Sequence, residues 1–113
     1  MNRWIGVFGW FAFAVAAGWL VGGCQQVRHQ AAARVDVSLR QMQFAPTEVR
    51  VHAGDTVVFT NNDIVTHDVT EETAKLWTSG PLVVGESFAF VAQKDVTYYC
   101  SIHPIMKGKI TVE

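Results

Sequence analysis

An all-β sandwich of about seven to eight short strands is the fold this sequence predicts. Three observations point to it. Apolar residues recur at every second position in several short runs, and turn residues punctuate those runs. The chain also holds seven Phe, four Trp and two Tyr in 113 residues. Such side chains suit a pleated, half-buried surface and argue against disorder. A chain of this length makes one domain with appendages. Its formal net charge is −1 with no basic stripe, so it lacks the electrostatic footprint of a nucleic-acid-binding protein.

Residues 1–23 read as an export segment outside the fold. Arg3 supplies a positive start, the run from Trp4 to Val21 carries no charge, and Gly22-Gly23 precede Cys24. An apolar stretch with a small-residue exit is the pattern of an export signal. Small residues ahead of a cysteine resemble a bacterial lipobox, which implies cleavage before Cys24 and a lipid on its thiol. The alternative is an uncleaved transmembrane helix, since the run approaches the roughly 20 residues that span a bilayer. Either way the domain is expected outside the cytoplasm, on the periplasmic side, anchored to a membrane. Residues 24–33 form a tether that includes a solvated His29, and residues 34–113 form the domain. A Cys24–Cys100 disulfide would sacrifice the separate role that each cysteine has.

From Arg34 the period becomes two: Val35, Val37 and Leu39 alternate with charged and polar residues, as in a half-buried strand. Met42 is expected in the core, and Ala45-Pro46 ends the run. Residues 48–52 alternate again and put His52 on the solvent side. Ala53-Gly54-Asp55 is a turn. Residues 56–60 form a strand with apolar residues on both faces. Residues 61–66 are a loop leading to His67, and 68–70 a short strand. Residues 71–75 have the composition of one helical turn, and Gly80-Pro81 marks a turn. Residues 87–91 are a strand with Phe88 and Phe90 on one face. Residues 96–100 are a strand, and 107–112 the last one.

Chemistry concentrates where the penultimate strand ends. Cys100, His103 and Met106 stand three residues apart. A thiolate, an imidazole and a thioether are ligands that copper accepts. Two His and one Cys in a trigonal plane, with a weak axial Met, form the blue-copper electron-transfer site. His67 is the best candidate for the second imidazole. Pro104 restricts its own backbone and that of His103, which stiffens the loop. Trp77 is read as a half-buried packing residue, with a role at an exit or docking surface as the alternative.

The Cys-x-x-His-x-x-Met loop, its continuation from Lys107 to Glu113 and the run from Gly54 to Asn61 resemble the cupredoxins. The likeness is greatest to amicyanin, with plastocyanin and pseudoazurin near, and it covers residues 35–113. It implies a Greek-key β-sandwich holding one copper ion, cycling between Cu(I) and Cu(II). His67, Cys100, His103 and Met106 would be the ligands. By the same resemblance the Asp68 N–H would donate to the thiolate, and Asn61 would brace the ligand loop against Ser101. Asp68 stands where asparagine is usual, and a carboxylate there would favour Cu(II). Thr66 replaces a common proline, and Lys94 a turn glycine. In such proteins the second His is a surface port ringed by apolar residues, here Ile64, Val65, Ile102, Pro104 and Ile105, with His103 partly exposed.

The function these readings lead to is a membrane-tethered, monomeric carrier of single electrons. Its partners would be redox proteins such as a c-type cytochrome, a dehydrogenase, or a respiratory or photosynthetic complex. A copper enzyme of the nitrite reductase or oxidase kind needs further histidine-rich centres, and the chain has four His. The remaining alternative is a non-redox copper module: a chaperone, a storage protein or the metal domain of a larger assembly.

Overall fold

Alternation of apolar and polar side chains gives each strand one face to bury, and two sheets bury those faces against each other. The computed structural model describes residues 14–18, 22–24 and 30–113. Most of the export segment, with any apolar helix in it, and half of the tether, with His29, lie outside the described residues. Cys24 is exposed and Cys100 buried, and both are free thiols.

Eight strands follow one another: β1 Arg34–Arg40, β2 Gln43–Ala45, β3 Glu48–Val51, β4 Thr56–Asn61, β5 Thr70–Glu71, β6 Ser87–Val91, β7 Val96–Tyr99 and β8 Lys107–Val112. They form two four-stranded sheets, ordered β2-β1-β4-β6 and β3-β8-β7-β5. The pairs β1–β4 and β3–β8 are parallel, and the other pairs are antiparallel. After the β1–β2 hairpin the chain passes from sheet to sheet up to β7, which ties the two layers together. Val37, Leu39, Val57 and Phe59 face inward from one sheet, and Val49, Val51, Tyr98 and Ile110 from the other. The Phe44, Phe59 and Tyr98 rings meet edge to face, with centroids 4.9 Å apart for Phe44–Tyr98 and 5.0 Å for Phe59–Tyr98. Aromatic rings prefer this arrangement, which adds to the area they bury.

Three local expectations need correction. Met42 is not in the core: it is 38% exposed, in the turn where Gln41 and Met42 take φ of 51° and 59° to start β2. Residues 71–75 form no helix, only a turn at 72–74. The Glu71 carboxylate accepts the N–H groups of Thr73 (2.7 Å), Ala74 (2.8 Å) and Leu76 (3.1 Å) and ties the segment into a loop. The short strand falls at Thr70–Glu71 instead of 68–70, because the Asp68 and Val69 N–H groups bond to side chains. Trp77 stacks on Phe90 at 4.4 Å, as a packing residue does.

Candidate metal centre

The centre lies where β7 runs out into its loop. Tyr98, two residues before Cys100, is fully buried and opposite Gly108 in β8. A Cβ on residue 108 would overlap the Tyr98 ring, so glycine there lets the ring lie flat on the strand. Beyond Tyr99 the loop closes on itself. Cys100 N–H donates to the Met106 carbonyl at 3.0 Å, and Met106 N–H to the His103 carbonyl at 2.9 Å. The three loop residues are therefore fixed by their own backbone.

His67 arrives from the loop after β4. Two backbone bonds of 3.1 and 2.7 Å join it to Leu82. Asn61 Nδ2 donates to the carbonyls of Val65 and Leu82, both at 2.8 Å. Asn61 thus braces the His67 side of the centre, and the expected Asn61–Ser101 brace is not formed. Asp68 takes that place. It accepts the Ser101 N–H at 2.7 Å and the Ser101 hydroxyl. Its own N–H donates to Cys100 Sγ at 3.4 Å.

His67 Nε2 lies 2.8 Å from Asp63 Oδ2. An ionised carboxylate only accepts, so Nε2 carries the proton and Nδ1 keeps its lone pair. The Met42 N–H, then His67 and the Ile64 N–H, hold the Asp63 carboxyl down at about 2. Sequence reasoning missed Asp63, which it left unremarked within the 61–66 loop. The signal was its place four residues before His67, since a metal-bound imidazole normally needs a partner for its other nitrogen.

His67 Nδ1 stands 3.1 Å from His103 Nδ1, and Cys100 Sγ stands 3.7 and 3.9 Å from the two. Donors on one first-row ion, at about 2.0–2.1 Å for nitrogen and about 2.3 Å for thiolate, stand roughly 3–4 Å apart. The donors present therefore fit a single ion, and two imidazoles with one thiolate suit copper. Met106 is buried beside them, 1% exposed. His67 and Cys100 are buried, and His103 is half-buried. In the ligand loop Ile105 is 85% exposed, Ile102 46% and Pro104 is exposed; in the loop before His67, Ile64 is 91% and Val65 39% exposed. Val83 and Val84, which follow Leu82, are also exposed. No pattern in the sequence marks them.

A two-sheet fold with two imidazoles, a thiolate and a thioether at one end is that of a cupredoxin. Residues 31–80 match the family model described as copper binding proteins, plastocyanin/azurin family. Amicyanin-alpha of Methylorubrum extorquens is 32% identical over 108 residues, which cover 90% of this chain and 91% of that protein. A purple cupredoxin from Nitrosopumilus maritimus superimposes with a TM-score of 0.65 at 26% identity, over 70% of this chain and 99% of its own. A Cu-containing nitrite reductase from Thermus scotoductus also gives 0.65 at 29% identity, over 71% of this chain and 22% of that one. The chain belongs to the copper-binding plastocyanin/azurin family, and its cofactor is one copper ion.

Proposed function

We propose that this protein is a blue copper carrier of single electrons and not an enzyme. His67 Nδ1, His103 Nδ1 and Cys100 Sγ would hold the copper strongly and Met106 would hold it weakly. The main support is the meeting of two imidazole nitrogens and one sulfur within 3.9 Å, where His103 alone of the three is not fully buried. Copper, when bound, supplies the one-electron Cu(II)/Cu(I) couple. The chain keeps the donors still: Asp63 fixes the His67 ring, Asp68 holds Ser101, and the loop's backbone bonds set Cys100, His103 and Met106.

His103 is the port, and Ile64, Val65, Ile102, Pro104 and Ile105 form a dry rim for a redox partner. That partner is a c-type cytochrome, a dehydrogenase, or a respiratory or photosynthetic complex. Residues 1–23 direct export, Cys24 carries a lipid, residues 24–33 are the tether, and the 34–113 domain works as a monomer on the periplasmic side. The exposed, unpaired thiol of Cys24 is compatible with lipidation.

A visible spectrum of the full chain in detergent, after addition of Cu(II), tests the proposal. An intense thiolate-to-copper band is expected. It should be absent in Cys100→Ser and bleach reversibly with a mild reductant. A colourless Cu(II) complex would instead indicate a non-redox copper module.

A further inference from the structure

Asp68 is a carboxylate that is only 5% exposed. All its donors are neutral: the Ser101 N–H at 2.7 Å and the Thr70 hydroxyl at 3.1 Å on Oδ1, and the Ser101 hydroxyl on Oδ2. It belongs to none of the five ion pairs among the described residues. A charge buried this deeply is ordinarily paired with an opposite one. Two lysines are engaged elsewhere: Lys75 lies over the Tyr99 ring at 4.5 Å, and Lys107 pairs with Glu72 at 2.8 Å. Meanwhile the Asp68 N–H lies on Cys100 Sγ, and its carboxylate holds the residue that follows Cys100. A positive ion held by Cys100, His67 and His103 is the counter-charge this carboxylate otherwise lacks.

We infer that Asp68 is a positioning residue whose fixed negative charge biases the copper centre toward its divalent state. The inference rests on the blue-copper reading above. The device has two parts. The hydrogen bonds to Ser101 set the start of the ligand loop, and the uncompensated charge favours the ion with the larger positive charge. Asparagine at this position separates the two. Its amide oxygen still accepts from Ser101 N–H and Thr70, and its NH₂ group can donate to Ser101 Oγ, so the brace remains while the charge goes.

The test compares full-length protein with Asp68→Asn and Thr70→Val, each in detergent. Reduction potentials come from spectroelectrochemistry, and Cu(II) and Cu(I) affinities from chelator competition. In Asp68→Asn the blue band should persist. The ratio of Cu(II) to Cu(I) affinity should fall about tenfold, which for a one-electron couple raises the potential by about 59 mV. Thr70→Val removes a donor and leaves the charge less neutralised, so the ratio should move the opposite way. That second variant decides the matter if Asp68→Asn does not fold. A ratio within twofold of the parent, in an Asp68→Asn protein that keeps the band, would overturn the inference alone. Absence of the band in the parent would overturn the blue-copper reading and this inference with it.

Discussion

Replacing Tyr98 by phenylalanine should make the protein more stable. The Tyr98 side chain is fully buried, and its hydroxyl has no hydrogen-bond partner among the described residues. Burial alone pushes its phenol well above the usual range. A buried hydroxyl without a partner costs about 1–3 kcal/mol of desolvation. Tyr98→Phe removes that cost and keeps the edge-to-face contacts with Phe44 and Phe59. The oxygen leaves a void of about one atom, which costs about 0.3 kcal/mol. The expected net gain is about 1–2 kcal/mol. For a domain of this size each kcal/mol raises Tm by about 4–8 °C. Urea denaturation of the copper-free protein, parent against variant, measures the change as a shift in midpoint at constant slope. The blue band should be unaltered. A loss of about 1 kcal/mol or more, with the slope unchanged, would refute the reasoning, because the hydroxyl would then have a partner such as an enclosed water.

Asp63→Asn should weaken copper binding about 10–100-fold, as removal of an imidazole's supporting carboxylate does. A chelator titration reads it, and unchanged affinity would deny Asp63 that role. Ile105→Lys puts a charge on the apolar rim. It should slow electron transfer to a cytochrome in stopped-flow mixing while leaving the copper spectrum unchanged, and equal rates would count against the docking patch. Glu71 is held at about 2, below its ordinary 4.5, chiefly by the Ala74 N–H. A lowered folded value means its contribution is present above about 4.5 and lost as pH falls toward 2. Amide protection at Thr73, Ala74 and Leu76, taken relative to the intrinsic exchange rate at each pH, should therefore fall through that window, and constant protection would contradict it.

The strands were legible wherever one face is buried and the other wet. Val35, Val37 and Leu39 show it in β1, and Glu48–Val51 in β3. The loop centre was equally plain, because Cys100, His103 and Met106 lie on one short segment and their spacing survives folding. Partnerships across the centre were not legible. Whether Ser101 meets Asn61 or Asp68 depends on where two separate loops settle, and no periodicity encodes that. Met42 misled because its hydrophobicity suggested burial, while its position in a left-handed turn set its exposure. The segment from Glu71 to Leu76 was misread for a related reason. Its order comes from one carboxylate gathering three amides, a pattern with no repeat along the chain.

The close approach of Tyr98 to Gly108 bears on how this protein can change. Two neighbouring strands share one volume there, filled by a large ring on β7 and left vacant on β8. A mutation at 108 alone collides with the ring, and one that shrinks residue 98 alone opens a hole in the core. Apart from a swap such as Tyr98→Phe, which keeps the ring, the two positions can drift only as a pair. Because residue 98 lies two steps from Cys100, a change that removes its ring opens a hole close to the start of the copper loop.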